Sequence, residues 1–188
     1  MNANILTFSE EAFFIPSNLR QELIDYTSSL ADSNDMYIVL ALDVVYENEE
    51  YASNELVVID DEGNMLYEYV KHKLIPFIET PEYKKGEAEV QTFETKYGTM
   101  STVICFDLDF PNFINKVGRL HPDILIAPSW DYKAIERYHT LNTAYRAIEN
   151  GFCLVRNTYG GASIACNSRG LKLQYSLFSE TGPHKMKI

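Results

Sequence analysis

The chain has 188 residues, 46% of them hydrophobic and 13% aromatic, and it carries 27 Asp and Glu against 16 Lys and Arg, a formal charge of -11. A chain of this size buries a sizeable core without disulfide staples, so a single globular domain over residues 1–188 is expected. The acidic balance and the lack of any Lys/Arg cluster exclude a nucleic-acid partner, whose phosphates require such a cluster, and assign the charge to solubility.

In chain order, residues 4–8 (NILTF) read as a short strand that runs straight into Ser9, Glu10 and Glu11. Pro16 and Ser17 then open a helix to about Asp32, with Leu19, Leu23, Ile24, Tyr26 and Leu30 at roughly helical spacing. Residues 36–45 (MYIVLALDVV) are nearly all apolar, as in a strand covered on both faces. Two further strands, 54–59 and 64–71, flank a turn of Asp60, Asp61, Glu62, Gly63 and Asn64 and read as a hairpin. The second of them leads into KHKLIPFIE, where Pro76 ends regular structure.

Residues 82–89 are polar loop. A second hairpin, 90–95 and 99–105, turns at Lys96, Tyr97 and Gly98 and delivers Cys105. Pro111 starts a short helix to Leu120, residues 123–127 (DILIA) form a buried strand, and Pro128, Ser129, Trp130 and Asp131 make a loop at its end. A long helix spans 133–150, stopped by Asn150 and Gly151, and strands follow at 152–157, 162–166 and 171–177. Buried strands mixed with hairpins and strand-helix-strand units indicate a layered α/β sandwich.

Three cysteines (Cys105, Cys153, Cys166) without CxxC spacing and four scattered histidines offer neither a disulfide framework nor a zinc ribbon, so no metal and no cofactor is expected. No apolar run reaches the ~20 residues of a bilayer span. No signal region follows Met1, so the chain reads as soluble and by default cytoplasmic.

Carboxylate, lysine and thiol each fall at the end of an expected core strand. Each has a structural alternative: a solvated acidic corner at Glu10 and Glu11, a protective basic edge at Lys71 and Lys73, a small buried hydrophobe at Cys105. Together they could run thiol chemistry. A base such as Glu activates the thiol, Lys and a backbone N–H hold an oxyanion, and attack on an amide or ester carbonyl gives a thioester that water or an amine resolves. Cys153 and Cys166 read as packing residues, Arg146 and Glu149 as a helical ion pair, and Trp130 with Asp131 as either a packed loop or a substrate-facing wall.

The order and motifs resemble the nitrilase or carbon–nitrogen hydrolase superfamily over most of the chain, residues 5–177. SEEA at Ser9 resembles its PExA element, with Ser9 in place of proline, which makes Glu10 the candidate base. YVKHKL is similar to YxKxHL and points to Lys71, with Lys73 where histidine is common. LIPFIE is closer to the LVPFGE of the apolipoprotein N-acyltransferase branch, where a second glutamate, here Glu79, supports the site. ICFDLDFP resembles CYExxFP, with Cys105 as nucleophile and Asp107 supporting it. APSWD resembles a substrate-lining loop with Trp130 and Asp131, and YRAIENG and RNTYGGAS resemble RAxENG and RxTxxGxS.

The resemblance implies an αββα sandwich lacking the usual first strand and helix, since so little of the chain precedes Glu10. An exposed sheet edge of that kind would be covered by a second copy of the chain in a homodimer or by part of a parent protein. It also implies a Glu10, Lys71, Cys105 triad acting on a small-molecule amide or acyl donor. Three readings follow from it. The first is hydrolysis of a non-peptide C–N bond. The second is N-acyl transfer to an amine, with a membrane-attached parent and an extracytoplasmic location. The third is a non-catalytic structural or binding domain.

Overall fold

The computed structural model describes residues 3–132 and 134–177, and the chain divides into two compact units, Met1–Ala88 and Glu89–Ile188. Both are α/β, each a sheet with helical cover.

In the first unit, β1 (Ile5–Thr7) and β2 (Phe13–Pro16) are followed by α1 (Ser17–Asn34), β3 (Tyr37–Val45), β4 (Ser53–Ile59) and β5 (Met65–Val70). The sheet order is β1-β3-β4-β5, with β2 also on β3. The expected hairpin is present as the antiparallel β4–β5 pair, and β3 pairs antiparallel with β4. β2 was not anticipated. It arises because β1 and β2 both run parallel along one edge of β3, the first against Tyr37 to Val39 and the second against Leu42 to Val45. They behave as one strand interrupted by residues 8–12.

Helix α1 runs two residues beyond the expected end. Asp35 closes it in the left-handed region, φ 51°, and gives its N–H to Ala31 and Asp32. Ile24 and Ala31 of α1 pack on Ile38, Leu40, Leu42 and Val44 of β3 and on Val57 and Ile59 of β4. These are alternate residues, so they occupy one face of the sheet. Val39, Ala41 and Asp43 of β3, with Asn54, Leu56 and Val58 of β4, take the opposite face and are equally buried. That accounts for the unbroken apolar run in the sequence.

The second unit holds β6 (Phe93–Thr95), β7 (Gly98–Thr102), a 3-10 turn (Cys105–Asp109), α2 (Pro111–Gly118), β8 (Ile124–Ile126), β9 (Ser129–Trp130), α3 (Glu136–Asn150), β10 (Cys153–Arg156), β11 (Thr158–Tyr159), β12 (Ala162–Cys166) and β13 (Lys172–Leu177). Its main sheet has the order β13-β12-β10-β8-β7-β6, parallel at β7–β8–β10 and antiparallel at both edges. The expected loop after residue 127 is in fact a strand, because Ser129 and Trp130 pair in parallel with Thr158 and Tyr159. The long helix begins at Glu136, and Lys133 lies outside the described residues. Gly151 ends it with φ 77°. The expected Arg146–Glu149 pair is made at 2.9 Å. Among the described residues no helix is long and apolar enough to cross a membrane.

Leu40 has no exposed surface and sits at the centre of the α1-facing cluster. Leu40→Ala is expected to lower the unfolding free energy by about 2–5 kcal/mol in urea denaturation. A loss under 1 kcal/mol would show that the cluster is not a packed core.

Candidate functional site

The interruption between β1 and β2 places Glu10. Thr7 pairs with Val39 and Phe13 with Leu42, so residues 8–12 stand against only Leu40 and Ala41 and the excess is thrown out of the ladder. Glu11 takes φ 57° within this bulge, and Glu10 is left buried at 4% exposure.

Lys71 reaches the same point from the other side of the sheet. Asp43 of β3 pairs with Asn54 of β4, and Lys71, one residue past β5, continues the row by donating its N–H to the Asn54 carbonyl at 2.9 Å. The Lys71 ammonium, with no exposed surface, donates to Glu10 Oε1 at 2.6 Å, and Asn54 Nδ2 donates to the same oxygen at 3.0 Å.

Glu79 supplies the second carboxylate, at 2.5 Å from Lys71 Nζ. It is turned back by the segment after Pro76: the N–H groups of Ile78, Glu79 and Thr80 all point to the Ile75 carbonyl, Phe77 adopts φ 64°, and Glu79 Oε2 accepts the Ile75 N–H at 2.8 Å. Downstream, Gly86 donates its N–H to the Lys71 carbonyl at 2.8 Å. A Cβ there would lie 2.1 Å from the Val70 carbonyl oxygen, so only glycine allows the segment to close over the strand end.

Two further acids belong to this cluster: Asp43, which was not singled out in the sequence, and Glu11, which the sequence offered only as part of an acidic corner beside Glu10. Asp43, 2% exposed, accepts a hydrogen bond from the Tyr83 hydroxyl at 2.7 Å through Oδ2. Its Oδ1 is buried without a hydrogen-bond partner among the described residues. Burial, reinforced by the charges of Glu10 and Glu79, pushes the Asp43 carboxyl up to about 7 against the opposing effects of Tyr83 and Lys71. Burial and the neighbouring Asp43 and Glu10 charges likewise push Glu11 up to about 8. The sequence signal for Asp43 was a lone acid inside an otherwise apolar strand.

In the second unit, the chain leaves β7 still following β8: Val103 donates to Ile126 and Cys105 to Pro128, at 3.2 and 2.9 Å. Cys105 then starts the 3-10 turn with φ 40°, a left-handed conformation that costs a side-chain-bearing residue about 1–2 kcal/mol. It is 4% exposed, and its thiol donates to the Trp130 carbonyl at 3.6 Å. Asp107, wholly buried, braces the turn by accepting the Ile104 N–H at 2.9 Å.

Trp130 is 40% exposed and its ring lies beside those of Tyr132 and Tyr159. Asp131 behaves differently, being 3% exposed. Arg156 clamps both its oxygens at 2.6 and 2.8 Å, and His139 Nδ1 donates to one of them at 2.7 Å. Cys166 is buried, which raises its thiol to about 11, well above the range in which a thiolate forms at neutral pH. Among the described residues no group of three or more His, Cys, Asp or Glu is arranged to hold a metal.

Of the residues expected from sequence, the first unit brings Glu10, Lys71 and Glu79 into one buried cluster, and the second brings Cys105, Asp107 and Trp130 to one turn, with Asp131 anchored behind Trp130. The residues that sequence reading missed are Asp43 and Tyr83 in the first unit, and Asp109, His139 and Arg156 in the second; Glu11 was passed over in favour of Glu10.

The carbon-nitrogen hydrolase family model matches residues 2–179. A hydrolase in the agr operon of Staphylococcus lugdunensis is 26% identical over 148 residues, covering 72% of this chain and 63% of that protein. The apolipoprotein N-acyltransferase of Rickettsia typhi is 23% identical over 185 residues, covering 85% of this chain and 36% of that protein. The chain thus spans less than two thirds of the length of these relatives. Among solved structures, an amidase from Nesterenkonia sp. superposes with a TM-score of 0.81 at 18% identity, over 94% of this chain and 74% of that one. The fold is therefore that of the nitrilase superfamily.

The raised value of Asp43 has a measurable consequence. The folded chain holds this proton up to about pH 7, whereas an ordinary aspartate loses it near 3.8. Its contribution to stability is therefore intact below about pH 4 and is lost as pH rises towards 7. In urea unfolding at pH 5 and pH 8, Asp43→Asn is expected to lose less stability between the two than the unsubstituted protein. Equal losses would show that Asp43 ionises normally.

Proposed function

We propose that this chain, which belongs to the carbon–nitrogen hydrolase family, is a cysteine-dependent enzyme that cleaves the C–N bond of a small-molecule amide through a thioester. The observation that carries this reading is the buried Lys71 ammonium held between the Glu10 and Glu79 carboxylates. A core that only needed to pack would avoid such a group, because each buried ion costs several kcal/mol of lost hydration.

In this reading Cys105 is the nucleophile, Glu10 the base and Lys71 the cation that steadies the oxyanion. Glu10 takes the thiol proton as sulfur attacks the carbonyl carbon. The tetrahedral oxyanion collapses, the C–N bond breaks, and the amine leaves with the proton returned by Glu10. Water, deprotonated by the same carboxylate, then attacks the thioester and releases the acid and the thiol. Glu79 holds Lys71 and Asp107 holds the turn that carries Cys105. Trp130 contributes the wall against the acyl group, and Asp131 fixes Trp130 through Arg156. A nucleophilic cysteine has support from the Nesterenkonia amidase, of which a variant carries the acetamide moiety of fluoroacetamide added covalently at its active-site cysteine.

A second reading, transfer of the acyl group to an amine instead of water, is supported by the Rickettsia relative and by the Glu79–Lys71 contact that the LIPFIE segment creates. The two share every step up to the thioester and differ only in what attacks it.

Short aliphatic amides and a fluorogenic ester, each supplied with and without a primary amine, separate them. Release of free acid regardless of amine supports hydrolysis, and N-acyl product formed at the expense of acid supports transfer. In either case Cys105→Ala is expected to reduce turnover by at least about 10³-fold. Turnover that survives this substitution removes both readings and leaves a non-catalytic domain.

A further inference from the structure

The Asp131–Arg156 pair behind the Trp130 wall belongs to a larger charged network, whose other members, Asp109 and His139, have no part in the chemistry described above. Asp109 ends the turn that Cys105 begins. Its Oδ1 accepts from Asn142 of α3 at 2.9 Å, and its Oδ2 lies 3.3 Å from Nε2 of His139, also on α3. The other nitrogen of the same ring, Nδ1, lies 2.7 Å from Asp131 Oδ1, at the end of β9. Arg156 of β10, 1% exposed, completes the set by clamping Asp131.

Both ring nitrogens of His139 thus face carboxylate oxygens. A carboxylate only accepts, so each nitrogen must carry a proton, and the ring is an imidazolium. The Arg156 Nη2, 3.3 Å from Nδ1, is a second donor facing a donor, tolerated because both cations share Asp131. Asp109, Asp131 and Arg156 are the charged groups that face His139 among the described residues, so the network sums to zero. Burial alone would lower the imidazole, but hydrogen bonds to Asp109 and Asp131 outweigh it and raise the group to about 9. The same contacts hold Asp109 and Asp131 below the usual carboxylate value.

The turn needs such support. Cys105 holds a left-handed φ of 40°, and a strained residue persists only where its surroundings over-determine it. At its near end the turn is tied to the segment following β8 by the bonds of Cys105 to the Pro128 and Trp130 carbonyls. At its far end the charged tie runs through Asp109 to His139, and from there to Asp131, the residue after Trp130.

We infer that the His139 imidazolium is a positioning residue that pins the Cys105 turn to the strand carrying Trp130, and that the reactivity of the Cys105 thiol depends on this pin. The inference rests on the reading of Cys105 as nucleophile, but the pin itself can be observed without any thiol chemistry. Trp130 is the chain's only tryptophan and adjoins Asp131. Its fluorescence, excited where tyrosine does not absorb, is expected to change with a midpoint near pH 9 as His139 loses its proton.

The midpoint is expected to move to lower pH in Asp109→Asn, which keeps the side-chain shape and removes one of the charges facing His139. The change is expected to vanish in His139→Gln. At pH 7 the Cys105 thiol of His139→Gln should also be alkylated by iodoacetamide at least about ten-fold more slowly than that of the unsubstituted protein, because thiol reactivity follows the thiolate's immediate surroundings.

A fluorescence profile without a transition, or one that Asp109→Asn leaves in place, overturns the pin. If His139→Gln does not fold, that profile and the alkylation rate of Asp109→Asn above its own midpoint still decide. A pH transition that responds to Asp109→Asn while Cys105 alkylates as fast or faster without the pin overturns the dependence of the thiol on it. A working pin together with turnover that survives Cys105→Ala discards instead the assignment of Cys105 as nucleophile, and the two failures are thereby told apart.

Discussion

The constraint on which the first unit depends is the burial of a full positive charge. Lys71 has no exposed surface, and an isolated ammonium in such a position would lose several kcal/mol of hydration with nothing in return. Two carboxylates and the row of strands beneath them offset that loss, and each demands an irregular piece of backbone. Glu10 reaches the ammonium only because the strand along β3 is broken by residues 8–12. Glu79 reaches it only because the chain after Pro76 folds its N–H groups back onto Ile75. Gly86, where any side chain would strike the Val70 carbonyl, seals the same strand end. The regular part of the sheet is a platform, and its departures from regularity converge on one nitrogen.

The second unit meets a comparable demand with different means. Among the described residues its most deeply buried cation is Arg156, and a planar guanidinium can satisfy one carboxylate bidentately where an ammonium needs several partners. Asp131 is thereby fixed, and Trp130, one residue before it, is left 40% exposed on a rigid support. The glycines at 160 and 161 are part of this arrangement. A Cβ at Gly160 would meet the Asp131 carbonyl oxygen at 2.3 Å, and one at Gly161 would meet the Asp131 side chain at 2.6 Å. Glycine at both positions therefore lets the chain after β11 close against Asp131.

What the sequence made legible follows from the range of the forces involved. Strands β3, β4 and β12, the β4–β5 hairpin and helix α3 are written in local pattern and emerged with boundaries shifted by a few residues. Glu10, Lys71 and Glu79 were legible through motif order, and the structure places both carboxylates within hydrogen-bonding distance of the Lys71 ammonium. The short strands β2, β9 and β11 were not legible, because two to four residues carry no periodicity and exist only through pairing with partners distant in sequence. His139 was set aside as one of four scattered histidines. Nothing in ERYHTLN announces that both ring nitrogens will find carboxylates, since Asp109 and Asp131 lie on other elements. Asp43 left a trace, an acid in a run of apolar residues, but its significance depends on Tyr83, forty positions away.

The two charge clusters also differ in how they respond to protons. Around Lys71, Asp43 and Glu11 are displaced to about 7 and about 8, so the charge of that cluster changes across neutrality. Around Asp131, the carboxylates are held below their usual value and His139 is raised to about 9, so that network keeps its charge over the same interval. The left-handed turn that begins at Cys105 stands beside the second of these, a charge pattern that stays fixed over that interval. The burial of each cluster thus fixes more than its geometry: it sets which cluster takes up and releases protons near neutral pH and which holds its shape.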